Sequence, residues 1–176
     1  MKYDYIIVGA GSAGCVIANR LSEDPSNEVL LLEAGGSDRR FFIQMPIGYG
    51  VTYHQKAVNW MYMTEPSPDA DNKPSYWPRG KVMGGSSSIN AMVYVRGNPK
   101  DFDQWSEAGN PGWSYSDVLP YFKKMESWQN GPDDYRGGDG PLNVSEVSEQ
   151  LHPLCQNFLS AAQEIGIGLN KDMNGA

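Results

Sequence analysis

The residues with the clearest chemistry are three glycines and one acid. "GAGSAG" supplies Gly9, Gly11 and Gly14 directly after the apolar run "YDYIIV", and Glu33 closes the run "EVLLLE" about 20 residues later. Each type has a task around a dinucleotide. Gly9 permits a sharp turn, Gly11 lets the backbone approach a pyrophosphate, and Gly14 lets a helix close on a strand. The helix N-terminus then offers unpaired N–H groups to the anion. A carboxylate at position 33 accepts hydrogen bonds from both ribose hydroxyls and repels a 2′-phosphate, which argues against NADP.

A second glycine-rich stretch follows, "RGKVMGGSSSINAMVYVRG", residues 79 to 97. Arg79 and Lys81 bring positive charge, and Gly84, Gly85, Ser86, Ser87 and Ser88 give a bendable backbone with crowded donors. Successive N–H groups in such a turn form an anion nest, and small side chains let an extended ligand lie on the main chain. The apolar flanks set this stretch apart from a flexible Gly/Ser linker.

The first loop has a competing reading. "AGSAG" approaches the G-x-S-x-G turn that exposes a nucleophilic serine, here Ser12, and His152 lies downstream. Against it, the first glycine of that pattern is Ala10, the turn would sit on the first strand of the chain, and Glu33 would have no task.

The elements that position these groups read as α/β. Tyr3 to Val8 has strand length, and Ala13, Val16, Ile17 and Leu21 recur at helical spacing. "EVLLLE" has the unbroken apolar character of a parallel strand buried on both faces. Residues 35 to 78 show no sustained period and are dense in aromatics, as expected of a covering or binding loop, with Trp60 and Trp77 the rings to test. Asn98 and Pro99 predict a helix start, with Phe102 and Trp105 turned inward. Ser114 with Asp117 predicts a capping box ahead of the stripe Val118, Tyr121, Phe122 and Met125, a helix that Pro120 should kink or begin. "GPLNV" reads as a short strand. Leu151, Leu154, Phe158, Leu159, Ala162 and Ile165 predict a core-facing helix.

Bulk properties narrow the partners. The 176 residues carry a net charge of −7, which disfavours nucleic acid and anionic membrane alike. No apolar run approaches the ~20 residues of a membrane span, and a strand pattern begins almost at once, so a cytoplasmic protein without a transmembrane segment is expected. Cys15 and Cys155 have no metal-ligand spacing and read as buried reduced thiols; no metal site is expected. No internal repeat is present.

Taken together, these stretches resemble the glucose–methanol–choline (GMC) oxidoreductase family, whose members bind FAD. The resemblance rests on "GAGSAG" with Glu33, on "YWPRGKVMGGSSSINAMVYVRGNPKDFDQW", on "NPGWSYSDVLPYFKKME" and on "GGDGPLNV". It spans nearly the whole chain and is nearest the bacterial choline and alcohol dehydrogenase branch. It implies a Rossmann-like FAD-binding domain over residues 1–98, incomplete in its sheet, and the start of an α+β substrate-binding domain over 99–176.

It also implies roles. Gly9, Gly11, Ser12, Ala13 and Gly14 would meet the FAD pyrophosphate, and Glu33 with Ala34 the adenosine ribose. Arg79, Val82, Gly84, Gly85 and Ser86 would line the pyrophosphate and ribityl region, while Asn90, Ala91, Met92 and Val93 would pass beside the isoalloxazine ring. Some members attach FAD covalently through a histidine just before that asparagine; Ile89 stands there, so a noncovalent flavin is expected.

The implied reaction is oxidation of a small alcohol by hydride transfer to flavin N5, with reoxidation by oxygen or a quinone-like acceptor. The family's base is a histidine near its C-terminus. His54 and His152 lack that context, so no catalytic residue is assigned, and the chain is expected to be an N-terminal portion that requires a C-terminal part. Alternatives are a nonredox cyanohydrin lyase-like member, an inert FAD-binding fragment, and the Ser12 hydrolase.

Overall fold

The runs "YIIV" and "VLLL" pair in parallel as β1 (Tyr5–Val8) and β2 (Val29–Leu32), in register from Tyr5↔Val29 to Val8↔Leu32. Parallel neighbours need a crossover, and α1 (Ser12–Leu21) supplies it. The ladder's last bond runs from the Gly9 N–H to the Leu32 carbonyl, 2.8 Å, so the glycine turn leaves the sheet at the strand's end. The computed structural model describes residues 2–175. These fall into two compact units that divide between Val93 and Tyr94.

One expectation in this first unit is corrected. β2 is half-buried rather than covered on both faces, and Val8 opposite Leu32 is 83% exposed. The reason is topological: β1 and β2 form a two-stranded sheet, which leaves strand edges and apolar side chains uncovered. The residues at helical spacing do lie on a helix. α1 turns Gly14 inward, with Cys15 half-buried beside it, while Val16 is 57% exposed. Gly14 is required there, since a Cβ would lie 1.9 Å from the Gly9 carbonyl oxygen.

The stretch expected to lack regular structure holds short elements: α2 (Phe41–Gln44), α3 (Tyr49–Thr52), and the antiparallel pair β3 (Tyr62–Met63) and β4 (Tyr76–Trp77). Around them sits the core of the unit, Val58, Val82 and Ile89, with Ile43 packed against it. Asn59 is buried beside Val58 and saturated. Its Oδ1 accepts from the Met61 and Arg79 N–H groups, and its Nδ2 donates to the Tyr53 carbonyl and the Tyr76 hydroxyl.

The second unit opens with α4 (Pro99–Glu107), capped by Asn98 Oδ1 on the Lys100 N–H, and α5 (Tyr115–Met125), which starts with the Ser114–Asp117 capping box. Pro120 lies inside α5 rather than at its start. Phe102 is half-buried and meets the Phe122 ring edge-on, whereas Trp105 is half-exposed and rests edge-on against Trp113. β5 (Glu126–Trp128) pairs in parallel with β6 (Leu142–Val144), and only β6 was legible as a strand. α6 (Pro153–Glu164) forms where the apolar period predicts it. Its stripe is not core-facing: Phe158 is 75% exposed, and Leu154 and Ile165 are exposed with it. Cys15 and Cys155 are free and half-buried rather than fully interior. No helix among the described residues is long and apolar enough to cross a membrane.

Candidate functional site

Three backbone segments converge at the C-terminal ends of β1 and β2. The first glycine loop, residues 9–14, leads into α1. No side chain caps that helix, so the N–H groups of its first turn, which includes Ser12, Ala13 and Gly14, keep their hydrogen-bonding capacity. The second segment leaves β2 through Glu33 and Ala34. The third is the other glycine stretch, whose Gly84 N–H donates to the Ala10 carbonyl at 2.7 Å. A Cβ on Gly85, where φ is +59°, would lie 2.8 Å from Gly11 Cα, so the two glycine loops touch directly. The second segment joins the third as well: the Met83 N–H donates to the Gly36 carbonyl, and a Cβ on Gly35 would meet the Lys81 carbonyl at 2.0 Å.

Glu33 is the brace of this arrangement. One carboxylate oxygen accepts from the Ala10 N–H at 2.9 Å and the other from the Gly35 N–H at 2.8 Å. Each oxygen retains a further acceptor site, so the carboxylate can hold the loops and still receive hydroxyl donors. Beside it opens a cavity of about 640 Å³ lined by residues from all three segments, including Gly9, Gly11, Glu33, Ala34, Arg79, Gly85 and Ser86. Across the cavity stand Trp60 and Tyr62, their rings stacked at 5.9 Å and nearly parallel, with the Lys81 ammonium 4.6 Å above Trp60. The open surface at Gly9 and Gly11, where an added Cβ would meet nothing within 4 Å, is the bare backbone that a pyrophosphate needs. The residues present fit a dinucleotide.

The rest of the second stretch divides in two. Gly85–Ser88 form a 3-10 turn, with the Ser87 hydroxyl donating to the Gly84 carbonyl and the Ser88 hydroxyl to the Met83 carbonyl. The Ser86 hydroxyl accepts from the Gly80 N–H. Two of the crowded hydroxyls thus shape the turn, while Ser86 also lines the cavity. Val82 is fully buried in the core cluster, so its side chain presents nothing to a ligand and only its backbone is available there. Beyond the turn, Asn90 and Met92 line a second, smaller cavity of about 220 Å³ together with Phe42, Tyr49, Ser87 and Ser88. Ala91 and Val93 are exposed and line neither cavity.

Two groups escaped the sequence reading. Asn59, which fixes the backbone of Met61 and Arg79 at the cavity's edge, had no motif to mark it. Tyr62 is one of many aromatics in its stretch, and nothing in the sequence marks it as the stacking partner of Trp60. Trp77 stands apart from both cavities and carries the Arg79 guanidinium on its ring at 4.9 Å.

The second unit has its own polar centre. Glu126 is fully buried and accepts from Arg96 at 2.6 Å, from Arg136, and from the Gly137 N–H at 3.1 Å. Arg136 continues to Asp172 at 2.9 Å, and its guanidinium lies 4.1 Å from the Trp128 ring centre. Burial works to lower the Arg96 pKa, but the Tyr94 hydroxyl and the Glu126 charge outweigh it and hold the group above its ordinary value. The buried charges are therefore paired, the condition under which such a cluster is tolerated.

The histidines are occupied elsewhere. His54 stacks on Tyr76, and His152 Nδ1 accepts from the Leu154 N–H as the cap of α6. Neither lines either of the two cavities.

A strand–glycine turn–helix–strand unit whose sheet ends, second glycine loop and bracing acid surround one cavity defines a dinucleotide-binding α/β domain. The family model described as GMC oxidoreductase matches residues 3–176, and the chain belongs to that family. The chain is 52% identical over 174 residues to the oxygen-dependent choline dehydrogenase of Photobacterium profundum, covering 98% of this chain and 31% of that protein. It is 50% identical to the mitochondrial choline dehydrogenase of Mus musculus, covering 99% of this chain and 30% of that one. Among solved structures, pyridoxine 4-oxidase from Mesorbium loti superposes with a TM-score of 0.86 at 37% identity, over 94% of this chain and 32% of its own. An FAD-dependent oxidoreductase from Chaetomium thermophilum superposes with a TM-score of 0.82 at 34% identity, over 99% and 31%. The chain thus spans about a third of the length of the relatives it matches.

Proposed function

We propose that these residues form the FAD-binding portion of an oxidoreductase that oxidises a small alcohol, with choline-like amino alcohols as the first substrates to test. The observation that carries the reading is the meeting of two glycine loops with Glu33 around one cavity, in a chain about 50% identical to two choline dehydrogenases.

In this reading the α1 N-terminus and the bare backbone at Gly9 and Gly11 hold the pyrophosphate. Glu33 receives the ribose hydroxyls on acceptor sites its loop contacts leave open, and the Trp60–Tyr62 stack offers a flat apolar face to the adenine. Asn90 to Val93 flank the isoalloxazine. FAD, when bound, accepts the hydride that leaves the carbinol carbon. The hydroxyl proton needs a base; neither His54 nor His152 lines either of the two cavities described, and that base belongs to polypeptide beyond these residues.

The flavin is proposed to be noncovalent. Position 89 is an isoleucine buried against Val58 and Val82, with no nucleophile to offer. The hydrolase alternative loses support on geometry, because Ser12 lies in the first turn of α1 and His152 Nδ1 is spent on a helix cap.

The test is spectroscopic and uses the full-length protein. Purified material should show oxidised-flavin bands, release its FAD into the supernatant on acid precipitation, and bleach anaerobically with choline. A colourless protein would overturn the flavin reading. Flavin that no alcohol reduces would overturn the reaction and favour a nonredox member or an inert binding module.

A further inference from the structure

Met92 adopts a left-handed backbone conformation, φ +59°, in the stretch proposed to flank the flavin ring. A non-glycine residue pays a steric penalty there, so something must hold it. The holder is Asn90, whose Oδ1 accepts from the Met92 N–H at 2.8 Å. That bond closes a turn in which a side-chain oxygen replaces a backbone carbonyl, the local chemistry that makes asparagine a turn former. Both residues line the smaller cavity.

The device is repeated in the same unit. Met61 is also left-handed, φ +55°, and Asn59 Oδ1 accepts from its N–H at 2.9 Å. In "NWM" the asparagine is buried and spends its whole carboxamide on the fold. In "NAM" it is exposed, and among the described residues its carboxamide makes the Met92 bond alone. The second turn is therefore held by one contact rather than by the surrounding core.

We infer that Asn90 is a positioning residue whose side-chain oxygen locks Met92 in the left-handed conformation and so sets the wall of the cavity beside the flavin. The inference rests on the flavin reading above. It assigns Asn90 a task within the chain itself, distinct from touching a cofactor. Losing the lock lets Met92 relax into ordinary backbone geometry, and the segment from Ala91 to Val93 shifts with it.

The experiment is a rescue series in the full-length protein, read by FAD affinity and by the visible circular dichroism of bound flavin, which reports the ring's surroundings. Asn90→Ala should weaken FAD binding roughly tenfold and alter the dichroic bands. Asn90→Asp, which keeps an acceptor at the same reach, should restore both. Asn90→Ala combined with Met92→Gly should also recover most of the affinity, because glycine adopts the left-handed conformation without a side-chain clash. If the double variant stays as impaired as Asn90→Ala while Asn90→Asp recovers, Asn90 acts by direct contact and the inference falls. If Asn90→Ala binds FAD with unchanged affinity and spectrum, it falls as well. A native protein that carries no flavin would instead defeat the reading on which this one stands.

Discussion

Two glutamates show how differently the units use the same side chain. Glu126 in the second unit and Glu33 in the first each accept hydrogen bonds on both carboxylate oxygens. Glu126 is fully buried, and two guanidiniums neutralise it. Glu33 is half-buried at the lip of a cavity, and its partners are two neutral backbone N–H groups. Among the described residues it has no ion-pair partner. The first charge is consumed by the fold; the second orders its loops while leaving its field and spare acceptor sites toward whatever enters. A carboxylate that braces without being neutralised is what a hydroxyl-bearing ligand requires, since hydrogen bonds to an ionised acceptor are the stronger kind.

The sharpest way to break the comparison is at Glu126. Glu126→Ala leaves Arg96 and Arg136 buried without their carboxylate, and the expected loss is about 3–5 kcal/mol of stability. Thermal or urea unfolding measures it. Arg136 retains Asp172, so the loss should fall on the lower side if that pair compensates. A variant that melts within a degree of the parent would show that the network is not the keystone of its unit.

Gly85→Ala probes the other region through its backbone. The added Cβ must occupy left-handed geometry and come within 2.8 Å of Gly11 Cα, which wedges the two glycine loops apart. A stability loss of about 1–2 kcal/mol is expected from the conformation alone. FAD affinity should fall further than that loss predicts, because the Gly11 surface moves with the loop. Equal losses in stability and affinity would mean that the loop contact supports the fold and nothing more.

Glu33→Gln sharpens the contrast without changing size. The amide nitrogen that replaces one oxygen faces an N–H donor and cannot accept, so one brace is lost, and with it the ionised acceptor. Stability should drop by about 1 kcal/mol, while FAD affinity should fall roughly tenfold or more. Isothermal titration of the apoprotein gives the number. Unchanged affinity would leave Glu33 as a loop brace only.

How far each region could be read in advance follows the same divide. The first loop was legible because its residue types are forced locally: Gly14 must lack a Cβ against Gly9, and Glu33 must stand at the end of β2. The contact between the loops, Gly85 against Gly11, was not, since nothing in either stretch names the other. The Glu126 network was invisible for a stronger reason. It joins residues 96, 126, 136 and 172, and charged side chains belong by default to the surface. β5 was missed because "ESW" has neither length nor alternation, and its register is set by pairing with β6. The α6 stripe correctly predicted a helix, yet periodicity says which side is apolar and not what covers it.

The smallest expected effect lies at Asp133, an exposed acid beside the Glu126 network. Its Oδ1 accepts from the Tyr135 N–H at 2.7 Å and from the Arg136 N–H at 2.6 Å, so it fixes the backbone that delivers Arg136 inward. These two bonds, with lesser help from the Arg136 and Lys123 charges, hold its carboxyl below the ordinary carboxylate value. The sign follows from linkage. The folded state binds this proton less readily than the unfolded chain, so the contribution is complete above the ordinary value and disappears as pH falls through the lowered one. Asp133→Asn keeps an oxygen acceptor for the two N–H groups but removes the titration. The variant should therefore melt slightly below the parent at neutral pH, and the gap should close on acidification, as followed by melting temperature across the acid range. A gap that persists or widens at low pH would mean that Asp133 acts through something other than its ionised form, and that the approach of Arg136 to Glu126 is fixed by its own ion pairs.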